Sequence, residues 1–129
     1  NYYGTDKFLV ENKINNGVDL IFDIDWQGAQ QLREKMREDI VSIFILPPNK
    51  KELERRLKSR GQDSDEVVKK RMDGASAEIT HWAEYDYVVI NEDLNKSVEA
   101  VLGILKAERM KRIRQVGLVE FVRTISHDS

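Results

Sequence analysis

Cysteine is absent from all 129 residues. That excludes a disulfide framework and any thiolate-bound metal, and it suits a reducing compartment. No apolar run approaches the roughly 20 residues that a membrane-spanning helix needs, and no secretory signal pattern sits at the front. The two histidines, His81 and His127, have no second histidine or cysteine at ligand spacing, so both read as structural. Several catalytic signatures are missing as well. There is no G-x-x-x-x-G-K-S/T loop to cradle phosphate through its backbone N–H groups, no G-x-G-x-x-G turn, no nucleophile elbow and no zinc motif. The net charge of −2 gives no global call for nucleic acid or an anionic membrane.

What the chain does have is the make-up of one globular domain. At 40% hydrophobic and 34% charged residues it is long enough to bury a core without staples. It opens on Asn1 rather than Met, and Asn1-Tyr2-Tyr3-Gly4 already reads as a motif, so the expectation is that its beginning is missing. Charge is uneven along the chain. Residues Lys50 to Arg71 hold nine Lys or Arg against five Asp or Glu, a balance of +4 that leaves −6 for the rest. A basic segment in an acidic chain is a candidate anion-binding element, although charge runs on helices are usually solvated faces.

Periodicity predicts an α/β order of strand, helix, strand, helix, helix, strand, helix. A short amphipathic helix is expected to end at Asn15-Asn16-Gly17, followed by a strand over Val18–Ile24 that is apolar enough to be covered on both faces. Ala29, Leu32 and Met36 mark the next helix, with Arg33, Lys35 and Arg37 suiting its negative end. A second strand, Val41–Leu46, stops at Pro47-Pro48. Asn49 with Glu52 and Asp63 with Glu66 then give two helix-start signals, and Gly61 an intervening stop. Val68, Met72, Ala75, Ile79 and Trp82 stripe a helix of about five turns. Tyr87–Ile90 is the third strand, and Val98, Val101, Leu102 and Leu105 line the buried face of a helix starting near Leu94. Beyond Arg114 the pattern weakens. Such alternation argues for a parallel sheet with right-handed crossovers, and the extra helix on one crossover is a candidate lid.

Candidate chemistry gathers at two places. Asp23 and Asp25 end an apolar run and precede Gly28, and ligands of parallel α/β sheets bind at the carboxyl ends of strands. Two acids there can hold a metal, orient a cation or accept from a substrate; capping the next helix is the plainer alternative. Arg55, Arg56, Arg60 and Arg71 supply guanidinium groups, which match phosphate oxygens bidentately and keep their charge. Arg55, flanked by Glu52 and Glu54, reads as a solvated helix residue. Tyr2, Tyr3 and Thr5 offer hydroxyls beside Gly4 that serve equally as turn and packing groups, and Asn91 at a strand end is either a base contact or a cap. Lys106, Arg109, Lys111, Arg112 and Arg114 suit the negative end of a helix.

Taken together, Asn1-Tyr2-Tyr3-Gly4-Thr5, Asp23-Ile24-Asp25-Trp26-Gln27-Gly28, Ile43-Phe44-Ile45-Leu46-Pro47-Pro48, Arg60-Gly61 and Val89-Ile90-Asn91-Glu92-Asp93 closely resemble guanylate kinase of the bacterial type. The match runs in order over nearly all of the chain. It implies a parallel-sheet P-loop nucleoside monophosphate kinase fold, incomplete at its N-terminus, with a helical lid. Residues 1–17 would be the end of the GMP-binding region, and residues 18–129 the core, with the lid inserted at about 53–72.

The resemblance implies transfer of the γ-phosphoryl group of ATP to GMP, with Mg²⁺, by a cytoplasmic enzyme that needs neither nucleic acid nor membrane; a homo-oligomer is left open. Tyr3 would contact the GMP phosphate and Thr5 the guanine. Asp23 and Asp25 would lie between the nucleotides, Asp25 on the magnesium and guanine side. Arg56, Arg60 and Arg71 would close over the ATP phosphates, and Asn91 would lie near the adenine. The competing reading is a catalytically dead guanylate kinase-like module that binds proteins; the intact acid pair and lid arginines speak against it. Another nucleoside monophosphate kinase is disfavoured by the Tyr-Tyr-Gly-Thr opening. The family's phosphate-binding loop has no counterpart in these residues, so the 129-residue polypeptide alone is expected to form no ADP from ATP and GMP. A coupled assay checks this, and turnover at a kinase rate of about 1–100 s⁻¹ would overturn it.

Overall fold

The computed structural model describes residues 19–58 and 64–126. In chain order these form α1 (Trp26–Met36), β1 (Ile43–Leu46), α2 (Lys50–Leu57), α3 (Asp65–Ile79), β2 (Tyr87–Ile90), α4 (Leu94–Arg109) and α5 (Leu118–Ser126). Single 3₁₀ turns follow α1, α3 and α4, at Arg37–Asp39, Trp82–Glu84 and Arg112–Arg114.

Helices α1 to α4 each start where a short polar side chain satisfies an otherwise unpaired N–H group. Asp25 Oδ1 accepts from Gly28 N at 2.9 Å to begin α1, and Asn49 Oδ1 accepts from Glu52 N at 2.7 Å to begin α2. Ser64 Oγ accepts from Val67 N at 3.3 Å, so the cap of α3 is Ser64 and not Asp63, which lies outside the described residues. Asp93 Oδ1 accepts from Asn95 N at 2.9 Å at the head of α4. Gly117, at φ 79°, holds the left-handed conformation that only glycine adopts without strain, and its carbonyl accepts from Phe121 N as α5 begins.

β1 and β2 run parallel in register Ile43↔Tyr87, Phe44↔Val88, Ile45↔Val89 and Leu46↔Ile90. The α2–α3 pair is the crossover between them, because two parallel strands cannot be joined by a hairpin. Ladder-like bonds continue past both ends: Tyr87 N donates to Ser42 O at 3.0 Å and Asn91 N to Leu46 O at 2.7 Å. At the first end, Asp86 Oδ2 accepts from Ser42 N (2.9 Å) and Ser42 Oγ (3.1 Å), while Ser42 Oγ accepts from Asp86 N (3.0 Å). Ring packing braces the outside. Phe44 stacks on Tyr85 with centroids 4.8 Å apart, and the Arg33 guanidinium lies 5.4 Å from the Tyr85 centroid.

The differences from the sequence-based expectation have one cause. An apolar run encodes a surface that needs covering, not the neighbour that covers it. Residues 19–25 form no strand, because no described strand makes a backbone ladder with them, and Ile21 is 94% exposed; Asp19 is held instead by its side chain, to Arg109. The described sheet therefore has two strands rather than three. On α4 the residues buried by the fold are Ser97 and Glu108, whereas Val98 and Leu102, assigned to the core from their spacing, are about half exposed. The buried apolar side chains are Ala29, Met36, Val68 and Val89.

Boundaries also moved. The strand expected from Val41 begins at Ile43; α2 ends at Leu57, before Gly61; and α3 ends at Ile79, leaving Trp82 exposed on a 3₁₀ turn. Residues after Arg114, where the sequence pattern weakens, include α5. The helix expected before Asn15 and the Gly61 stop lie outside the described residues.

Cations after α4 do more than complement its dipole. Glu108, buried at the end of that helix, accepts from the Tyr87 hydroxyl and pairs with Lys111 (3.2 Å) and Arg114 (3.3 Å). Burial would push this carboxyl up, but the Tyr87 hydroxyl, Lys111 and Arg114 outweigh it and hold Glu108 below the ordinary carboxylate range. Glu108 in turn raises the Tyr87 phenol.

The Ser42–Asp86 exchange makes a stability prediction. Ser42→Ala removes one donor and one acceptor from a buried position and should cost about 1–3 kcal/mol. Urea unfolding checks this as a lower midpoint at unchanged slope.

Candidate functional site

The C-terminal ends of β1 and β2 lie side by side, and α2 and α4 start from the turns that follow them. Asn91 closes β2. Its N–H donates to Leu46 O, its side-chain Oδ1 accepts from Ser97 Oγ at 2.8 Å, and its carbonyl accepts from Arg56 Nη2 at 3.2 Å. Arg56 thus reaches from α2 across 35 residues of sequence to the end of β2. Its Nε also donates to Glu52 Oε1 at 3.1 Å, one turn back on the same helix.

Glu52 is the pivot of that helix face. Its carboxylate also takes the Arg55 guanidinium, with Nε 3.0 and 3.1 Å from the two oxygens. The Arg55 hydrogen bond, assisted by its charge and by Arg56, pulls the Glu52 pKa from 4.5 to about 2. In sequence Glu52 registers only as half of a capping box; its i,i+3 and i,i+4 spacing to two arginines was the signal for this role. Arg55 is exposed and paired to Glu52.

Arg71, from α3, donates through Nη1 to the Leu57 carbonyl at 2.9 Å. That places a cation at the C-terminus of α2, where the dipole favours it, and ties the two crossover helices together. Asp25 caps α1 through Oδ1, and the half-buried residue remains beside the apolar segment that leads into the helix. Asp23 is exposed. Of the residues singled out from sequence, the structure joins Arg56 to Asn91 and anchors Arg71 and Asp25 at helix ends. Tyr3, Thr5 and Arg60 lie outside the described residues. Ser97 was missed altogether, since a lone serine in an apolar helix pattern carries no distinguishing signal.

A second polar cluster sits between α1 and the end of α3. Trp26 and His81 stack at 3.7 Å with planes 10° apart, and His81 Nδ1 pairs with Glu84. Glu84 also accepts from Gln30 (2.7 Å) and Arg33 (3.4 Å), and Trp26 N donates to Glu78 at 3.4 Å. The His81 bond, then the Gln30 bond, holds Glu84 below its ordinary range. Every member has a packing or pairing partner, so the cluster fastens α1 to the turn after α3, in line with a structural His81. The neighbouring open depression of about 540 Å³, lined by Gln30, Arg33, Glu34, Arg37 and Glu84, includes none of the residues singled out from sequence. Among the described residues no group of three or more histidines or acids could hold a metal.

The crystal structure of guanylate kinase from Anaplasma phagocytophilum matches this architecture with a TM-score of 0.76 and 41% identity, over 92% of this chain and 56% of that one. The fold is therefore that of the α/β P-loop nucleoside monophosphate kinases. At the sequence level, the guanylate kinase family model matches residues 1–108. The guanylate kinase of Bradyrhizobium diazoefficiens is 61% identical over 123 residues, which is 95% of this chain and 56% of that protein. That of Rhizobium johnstonii is 52% identical over 129 residues, covering 100% of this chain and 59% of its own length. This chain belongs to the guanylate kinase family, and it spans little more than half the length of these relatives.

The Glu52 pairing predicts an acid-sensitive helix. A carboxyl with a lower pKa folded than unfolded stabilises the fold above its unfolded pKa, and that stabilisation is lost as pH falls. The loss should run from about pH 4.5 towards about pH 2. Urea midpoints of the protein and of Glu52→Gln, compared across this window, should converge as the pH drops.

Proposed function

We propose that the intact protein transfers the γ-phosphoryl group of ATP to GMP, giving ADP and GDP. The observation that carries this reading is Arg56, a guanidinium extended from a crossover helix to the C-terminal end of β2, where parallel α/β sheets bind ligands. Its partners there are a backbone carbonyl and a carboxylate it shares with Arg55, both on half-buried residues and both reached by solvent-exposed bonds. Exposed pairs of this kind are worth only about 0.2–1 kcal/mol, so a phosphate group competes for Arg56 with ease. Arg60 and Arg71 would join it over the ATP phosphates, within a lid of about residues 53–72. Each would neutralise charge that builds on the transferring group.

Residues 1–17 would end the GMP-binding region, with Tyr3 on the phosphate and Thr5 on the guanine; residues 18–129 would form the core, with Asp23 between the nucleotides. Asn91 would meet the adenine. Magnesium needs no cage of acids, because it keeps several waters and binds through one or two carboxylates together with substrate phosphates. Asp25 fits that demand: its bond to Gly28 N–H fixes the carboxylate's direction at the end of the apolar segment. There it would help hold the ion indirectly and accept from the guanine side. When bound, the ion would supply positive charge to offset that of the phosphates. Nucleotides are then the partners, in the cytoplasm.

The test is a coupled assay of the intact protein with ATP as donor and GMP, AMP, UMP or dTMP as acceptor, with Asp25→Asn in parallel. GMP alone should be phosphorylated. Asparagine caps helices as well as aspartate does, so stability should hold within about 0.5 kcal/mol. Activity should nevertheless fall about 100-fold or more, by the loss of a charge aimed at the reacting groups. Equal use of another acceptor overturns the substrate assignment, and full activity of Asp25→Asn reduces that carboxylate to a cap.

A further inference from the structure

Asn91 has four polar groups, and three are engaged within the fold. The backbone N–H is taken by Leu46 O, the backbone carbonyl by Arg56, and the side-chain Oδ1 by the Ser97 hydroxyl. Among the described residues nothing accepts from its side-chain nitrogen, Nδ2. Ser97 sits in the first turn of α4, only 7% exposed, with its backbone N–H donating to Asp93 O at 2.9 Å. A hydroxyl so removed from water keeps its proton on a protein acceptor, and here that acceptor is Asn91 Oδ1. Turning the amide over would place Nδ2 against the hydroxyl and oblige the buried proton to find another partner. The strand-end amide is thereby committed as a donor, beside a guanidinium that can only donate.

We infer that Ser97 is a positioning residue that orients the Asn91 amide as a hydrogen-bond donor, so that this end of the sheet recognises an acceptor atom of the donor nucleotide's base, a ring nitrogen or a carbonyl oxygen, rather than its exocyclic amine. The inference rests on the reading of Asn91 as a base contact and adds to it a polarity and the residue that sets it. A donor at this point meets acceptors on adenine and guanine alike. Asn91 therefore contributes affinity for a purine without excluding the wrong one.

Steady-state kinetics and equilibrium ATP binding with the intact protein test this. Ser97→Ala should raise KM and Kd for ATP about 3- to 10-fold, the worth of one neutral hydrogen bond. It should leave kcat and the KM for GMP unchanged, a split that general loss of structure would not produce. Ser97→Thr, which keeps the hydroxyl, should restore ATP affinity, and Asn91→Asp, which replaces the donor nitrogen by an acceptor, should lose at least as much as Ser97→Ala. If Asn91→Ala leaves ATP affinity unchanged, the base-contact reading itself is wrong. If Asn91→Ala weakens ATP binding while Ser97→Ala does not, only the positioning role falls. Normal ATP affinity in Asn91→Asp overturns the donor polarity.

Discussion

The Asp86 carboxylate accepts from both the N–H and the hydroxyl of Ser42, and the same hydroxyl accepts from the Asp86 N–H. This exchange sits at the entrance to a sheet of two four-residue strands, and most of the fold is referred to it. Strand side chains alternate faces, so a slip of one residue would turn Val89 outward and carry the whole of β2 with it. At the far end of the ladder, Asn91 N bonds to Leu46 O. A register fixed at the Ser42 end therefore determines where Asn91 stands at the C-terminal end of the strands. Short parallel strands are weak per residue, and polar clamps outside the ladder make up for its length.

The same economy governs the charges. Among the described residues buried apolar side chains are few, and the helices are held to the sheet by specific polar links. Glu108 is the most demanding, since a buried carboxylate costs several kcal/mol to desolvate unless it is fully paired. The Tyr87 hydroxyl bonds to one oxygen and joins the end of α4 to the start of β2, while Lys111 and Arg114 offset the charge on the other as ion pairs. At the other end of the same helix, Ser97 reaches Asn91. β2 is thus gripped by α4 through its first residue and through the residue after its last, which gives the strand end a rigid seat.

Local signals in the sequence were the most legible, because caps and strand ends act within three or four residues. Asn49 with Glu52 marks the start of α2, Pro47-Pro48 the end of β1, and Tyr87–Ile90 are the limits of β2. The family motifs were legible for the same reason, being contiguous. What could not be read is what depends on distant partners. An apolar strand pattern at 18–24 does not name its neighbour, and the spacing of Val98 and Leu102 does not reveal that the described fold leaves both half exposed. The site divides the same way. Arg56 and Asn91 were singled out by residue type and place, but the bond between them and the serine behind Asn91 are facts of tertiary structure.

That bond gives the crossover helices two competing sets of partners. With Arg56 on the Asn91 carbonyl, α2 is drawn onto the strand end, and Arg71 on the Leu57 carbonyl draws α3 with it. These are single exposed hydrogen bonds, each worth about 0.5–1.5 kcal/mol net. Phosphate offers a guanidinium two parallel bonds to charged oxygens in place of one bond to a neutral carbonyl. Under the proposed phosphoryl transfer, moving Arg56 from carbonyl to phosphate would therefore be downhill, and it would release the α2–Asn91 link as the ligand arrives. Glu52 keeps the arginine aimed in the interval, and its pKa of about 2 leaves it fully charged to do so at any physiological pH. The helix can then move without the strand end moving, because Asn91 retains its bonds to Leu46 and Ser97 when Arg56 leaves.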